Sequence, residues 1–154
     1  MKLLALKVYF FLATTCPISQ QYTAYINQFT RMTAEKNIQV VLIFPAEKNN
    51  IKSEVRSFIQ QYQLSAKYII DKGYSFSKKL NAIVTPEVFL LNDQDQILYH
   101  GAIDNWYYAL GKNRIDITEH YLDDAIAQAI NHKPVLIPFV KPVGCFIESG
   151  KPSN

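Results

Sequence analysis

Residues 38–44 read Ile-Gln-Val-Val-Leu-Ile-Phe, apolar throughout except for Gln39. A run of that length without a polar face is a strand buried on both sides, and its flanks say what buries it. Before it, Pro17 to Lys36 carries Ile18, Tyr22, Tyr25/Ile26, Phe29 and Met32 close to the 3.6-residue period of an amphipathic helix, which Asn37 ends. After it, Pro45 stops the strand, and Ile51 to Tyr62 repeats the helical pattern through Ile51, Val55, Phe58/Ile59 and Tyr62. A buried strand between two such helices belongs inside a layered α/β sheet.

The remaining segments extend this order. Leu6 to Ala13 is a strand rich in aromatics, and Lys67 to Ile70 a short one. Asp71-Lys72-Gly73 makes a turn, and Tyr74 to Leu80 a brief helix. Val84-Thr85-Pro86 leads into a strand at Glu87 to Leu91; the turn Asn92-Asp93-Gln94-Asp95 returns it as a second strand, Gln96 to His100. Residues 101–117 are irregular and aromatic, and Thr118 is the expected cap of a helix running to Ile130. The order β-α-β-α-β-α-β-β-α predicts an α/β fold with one mixed central sheet flanked by helices on both faces. One domain is expected over 1–132, followed by an extended, proline-rich arm over 133–154 that carries Cys145.

The composition, 49% hydrophobic and 19% charged, is that of a globular chain. A formal net charge of +3, with basic residues scattered, argues against nucleic acid as a partner. No apolar run approaches the ~18–20 residues of a membrane span. The stretch Met1 to Ala13 has the outline of a short secretion signal, but Lys7 interrupts its apolar core and the sheet needs it as a first strand. We therefore read it as a strand and expect no signal peptide there.

The chemistry points to Cys16. It stands where the first strand gives way to the long predicted helix, with Pro17 at the first helical position, where proline is preorganised. That puts the sulfur at the helix N-cap, a position that favours the reactive thiolate. Ser19, at the third helical position, could donate its hydroxyl to that thiolate. Thr85-Pro86 is the second element: proline before a central apolar strand cannot donate to the ladder, and a cis bond forming a tight turn beside the cysteine accounts for it. The plain alternatives are an inert buried cysteine and an ordinary strand-starting proline.

The segment Phe11-Leu12-Ala13-Thr14-Thr15-Cys16-Pro17-Ile18-Ser19, with Thr85-Pro86-Glu87-Val88-Phe89, resembles the thioredoxin-like redoxin family, related to the alkyl hydroperoxide reductase/thiol-specific antioxidant proteins and common in bacteria. The resemblance extends to Gly101-Ala102-Ile103-Asp104-Asn105, Leu110-Gly111-Lys112, Thr118 to Ala125 and Pro142-Val143-Gly144-Cys145-Phe146-Ile147. It implies a thioredoxin-like fold with the redoxin-type helix–strand insertion at 51–70. It also implies a thiol–disulfide oxidoreductase with Cys16 as nucleophile and Pro86 as the cis-proline of a substrate groove that Pro17 and Thr85 help to form. The partner implied is a protein thiol or disulfide, or a small thiol, with no cofactor. Relatives of this kind are often exported, so an extracytoplasmic setting is expected, a cytoplasmic one being the alternative.

The departures are informative. A Cys-x-x-Cys motif would need cysteine where Ser19 stands, so no neighbour can resolve a mixed disulfide at Cys16. Many thioredoxins bury an acid six positions before the first cysteine, where this chain has Phe10; Glu87 is either a substitute proton acceptor at the groove or an exposed strand-end carboxylate. Cys145 is either a distant resolving thiol, brought back by the stiff arm with Gly144 allowing close approach, or a tail cysteine buried by Phe146 and Ile147. Trp106, amid Trp106-Tyr107-Tyr108, belongs either to a lid over the groove or to packing under the last helix. Among rival activities, a peroxidase would want Thr or Ser where Ala13 stands and an arginine at the sulfur, for which only Arg114 sits in a suitable loop. Copper binding would need His100, His120 or His132 near Cys16, and none has ligand spacing. A non-catalytic binding module predicts an ordinary, slowly reacting Cys16.

Overall fold

A computed structural model describes residues 5–148; the first four residues of the leader-like stretch, and Pro152 at the far end of the arm, lie outside them. Leu6–Phe11 (β1) runs through the middle of a six-stranded sheet. On one side it pairs in parallel with Ile38–Ala46 (β2), which pairs in parallel with Lys67–Lys72 (β3). On the other it pairs antiparallel with Glu87–Leu91 (β5), which turns back into Ile97–Gly101 (β6). The sheet is therefore mixed, as expected.

Alternation along β1 divides the core. Leu6, Val8 and Phe10, continued by Leu12, face one layer; Phe11, with Val41, Ile43, Phe89 and Leu91, faces the other. The first layer is covered by Pro17–Gln21 (α1), Thr23–Thr33 (α2), Lys52–Gln61 (α3) and Tyr121–Ile130 (α5), through Ile18, Ile26, Phe29, Val55, Phe58, Leu122 and Ile126. The second is covered by Ser75–Leu80 (α4), through Phe76 and Leu80. Helices thus lie on both faces, unequally. Among the described residues no helix is long and apolar enough to cross a membrane.

Several elements differ from the sequence expectation. The helix predicted over Pro17 to Lys36 is broken at Tyr22, whose φ of −86° and ψ of −2° end α1 before α2 begins. Tyr22 is buried there and donates its hydroxyl to Asp104 Oδ1 at 2.5 Å. β2 runs through Pro45 to Ala46, because β1 stops opposite Ile43 and leaves the proline with a partner on one flank only. Thr118 does not cap the last helix: Asn105 Oδ1 accepts the N–H groups of both Thr118 and Glu119, so α5 starts at Tyr121 with His120 before it. The irregular stretch holds a small hairpin, Tyr107–Ala109 (β7) with Lys112–Asn113 (β8).

The arm after α5 is extended and pairs twice with the body. Phe139–Val140 (β9) adds a parallel sixth strand beside β6, and Cys145–Phe146 (β10) pairs antiparallel with Val84–Thr85 (β4). Gly101 permits the first contact, since a Cβ there would collide with the Val140 carbonyl.

Candidate functional site

Cys16 follows the turn Thr14–Thr15 at the end of β1, with φ −85° and ψ 116°, as the N-cap of α1. Its N–H donates to Ala13 O at 3.2 Å, and its carbonyl accepts Gln20 N–H at 3.1 Å, so backbone bonds on both sides fix its position. Pro17 occupies the first helical turn behind it. Ser19 is fully buried, and its hydroxyl accepts Ala13 N–H at 3.3 Å. That bond ties the turn to the helix rather than reaching toward the sulfur.

Cys16 and Cys145 are joined in a disulfide, their Cα atoms 6.0 Å apart across a sequence separation of 129. The Thr85–Pro86 peptide is cis, and the Thr85 carbonyl oxygen lies 3.3 Å from Cys16 Sγ. In the disulfide that sulfur has no proton to give, so this is a packing contact; a thiol in the same place would donate to the carbonyl. β10 brings Cys145 opposite Thr85, with Ile147 N–H donating to Ile83 O at 2.8 Å and Thr85 Oγ1 donating to Cys145 O at 3.4 Å. Gly144 allows this approach: a Cβ there would collide with the carbonyl of Thr85. Cys16 is 1% exposed, whereas Cys145 is only half-buried.

Glu87 is not an exposed strand-end carboxylate. It is 1% exposed, and Oε1 accepts the N–H groups of Ile83 at 2.9 Å and Val84 at 3.4 Å, so it braces the backbone of β4. Burial pushes its carboxyl above the usual range, partly offset by those N–H donors and by His100, whose Nδ1 lies 3.5 Å from Oε2. As part of β5 it shares a face with Phe89, the layer away from Cys16. Phe10, where an acid is common in thioredoxins, meets Phe29 edge-on at 5.5 Å.

Trp106 stacks inward. Its ring lies 5.4 Å from Tyr22 and 5.2 Å from Tyr107, and its backbone N–H donates to Asp104 Oδ1 at 2.9 Å. Asp104 is buried, and desolvation raises its carboxyl above the ordinary value despite the donors from Tyr22 and Trp106. Tyr22, Asp104 and Tyr107 line a narrow crevice with the cis-proline Pro86 and with Val143, two residues before Cys145. The sequence singled out Trp106 but not the Tyr22–Asp104 pair; an aspartate amid apolar and aromatic neighbours was the available signal. Arg114 stacks over exposed Tyr108, 5.5 Å from its ring centroid. His100 lies against Phe89 and Phe139, and His120 beside Asp123; among the described residues no three His, Cys, Asp or Glu side chains group as a metal site.

A family model described as Redoxin matches residues 5–105. No curated protein matches the chain. Among solved structures, an uncharacterized conserved protein from Geobacillus kaustophilus is similar at 20% identity and TM-score 0.81, over 97% of this chain and 79% of that one. A hypothetical protein from Sinorhizobium meliloti is similar at 23% identity and TM-score 0.77, over 93% and 79%. A secreted Mycobacterium tuberculosis disulfide oxidoreductase homologous to E. coli DsbE is similar at 15% identity and TM-score 0.53, over 60% and 66%.

Proposed function

The chain belongs to the Redoxin family, and from that premise we propose that it is a thiol–disulfide oxidoreductase whose redox couple is Cys16 with Cys145. The observation that carries this reading is the Cys16–Cys145 disulfide, seated at the start of α1 against the cis Thr85–Pro86 peptide. In the reduced protein the Cys16 thiolate attacks a substrate disulfide, and the substrate's second sulfur leaves as a thiolate. Cys145 then attacks the Cys16 sulfur of the mixed disulfide, releases the remaining substrate thiol and leaves the internal bond. Two electrons pass to the substrate, and no cofactor enters the cycle.

The arm makes this feasible. Cys145 is held on β4 by a two-residue pairing, so the reduced arm can lift and uncover Cys16 for a substrate, then return. Ser19 holds the turn that presents Cys16, while Pro17, Thr85 and Pro86 shape the groove; Glu87 acts from behind it by fixing β4, and Trp106 backs the Tyr22 and Tyr107 rings that line the crevice. The substrate class is a protein disulfide or a small disulfide. The secreted oxidoreductase among the neighbours supports an extracytoplasmic setting, where such bonds persist. A peroxidase reading gains no comparable support, since Arg114 is engaged with Tyr108.

The test uses insulin or a small aromatic disulfide as substrate. Wild type should turn over with a thiol reductant, and Cys16→Ser should be inactive. Cys145→Ser should react once and accumulate a mixed disulfide on Cys16. Full turnover by Cys145→Ser would remove Cys145 from the mechanism, and activity in Cys16→Ser would overturn the assignment altogether.

A further inference from the structure

We propose that the oxidised protein is read at Cys145: an incoming reductant thiolate attacks the Cys145 sulfur, and the first mixed disulfide is carried on the C-terminal arm. This rests on the Cys16–Cys145 couple proposed above and adds a direction to it. Disulfide exchange is an in-line displacement, so the attacking sulfur must approach from behind the sulfur it attacks, along the extension of the S–S bond. Which sulfur is attacked is therefore decided by access.

Behind Cys16 there is no path. The residue is 1% exposed and belongs to the main core with Leu12 and Ile18, and the Thr85 carbonyl lies 3.3 Å from its sulfur. Cys145 is half-buried on a two-residue strand that pairs with β4 alone. Phe146, the next residue, is 75% exposed. The approach lies on the Cys145 side.

The step balances. The reductant sulfur bonds to Cys145 Sγ, the S–S bond breaks, and Cys16 leaves as a thiolate. Cys16 takes a proton from water and, as a thiol, can donate to the Thr85 carbonyl. A second reductant thiol then attacks the reductant-side sulfur of the mixed disulfide, freeing Cys145. The two cysteines thus divide the partners: Cys16 meets oxidised substrates when the arm is lifted, and Cys145 meets reductants when the arm is docked.

The full-length chain is oxidised with diamide, and the loss of two hydrogens in its intact mass establishes the Cys16–Cys145 link. It is then mixed briefly with glutathione, quenched with an alkylating reagent at several early times, and mapped by mass spectrometry. The expected result is glutathione on the Cys145 peptide and alkylated Cys16, in excess over the reverse pattern by about tenfold or more. Glutathione on Cys16, or equally on both, overturns the inference while leaving the dithiol couple intact. A chain that never forms the internal link takes both readings down.

Discussion

Glu87 shows how a residue can matter to the site without facing it. Its carboxylate holds the Ile83 and Val84 amides, Ile83 in turn accepts the Ile147 N–H, and so the strand that docks Cys145 rests on a buried acid. Burial raises that acid above its ordinary value of 4.5. The folded state therefore binds the proton more tightly than the unfolded one. The associated stability is fully present below the ordinary value and is lost as pH rises through the raised one. Glu87→Gln keeps an acceptor for the Ile83 amide and removes the charge. We expect its stability relative to wild type to improve as pH rises above about 4.5 and to level off once the raised titration of Glu87 is complete, read by denaturant titrations at a series of pH values. A difference that stays flat with pH would show that Glu87 does not titrate in this window. Asp104, raised in the same sense, contributes equally to both proteins and drops out of the comparison.

Among the elements, α4 depends on one side chain outside it. Asp71, buried in β3, accepts Phe76 N–H and Ser77 N–H, both at 2.8 Å, and the hydroxyls of Ser75 at 3.1 Å and Ser77 at 2.7 Å. Asp71→Ala strips those donors of their acceptor, two of them at buried Ser77, and should cost about 2–3 kcal/mol by chemical denaturation. Because α4 covers the sheet face away from Cys16, diamide should still form the internal disulfide in this variant. A loss under about 0.5 kcal/mol would mean that α4 finds other caps. None of this was legible in the sequence, which marked Asp71 only as part of a turn. Periodicity reports which face an element buries, so the order of strands and helices could be read from Leu6 onward. It is silent on side chains that bond backbone a few residues away. The break at Tyr22 was hidden because Ile18, Tyr22 and Ile26 keep helical spacing straight through it. Thr118 has the chemistry of a cap, and only Asn105, distant along the chain, displaces it. At the site, Cys16-Pro17 and Thr85-Pro86 announced themselves because cysteine and proline are costly to misplace. Two-residue strands such as β9 and β10 carry no pattern to find.

At the scale of the molecule, the arm is a strap fastened at two points of different kind. β9 is hydrogen-bonded to β6, with His100 N–H donating to Pro138 O and Ala102 N–H to Val140 O, each at 3.0 Å. β10 is held by a short pairing and by a covalent bond that closes a loop spanning 129 positions. On the chain-entropy account, a loop of that length stabilises the fold by about 5 kcal/mol, so reduction should lower the melting temperature substantially. It should also free the outer fastening alone. Chymotrypsin can report this, because Phe139 and Phe146 lie on the two fastened segments. With the disulfide intact both sites should resist brief digestion. After dithiothreitol, cleavage should begin at Phe146 while Phe139 stays protected by the sheet, and Cys145→Ser should behave like reduced wild type without any reductant. Cleavage first at Phe139, or a pattern indifferent to reduction, would mean that the arm does not open at Cys145. Cys16 would then have no route to a substrate, since in the docked state it is closed off by the segment that carries its partner.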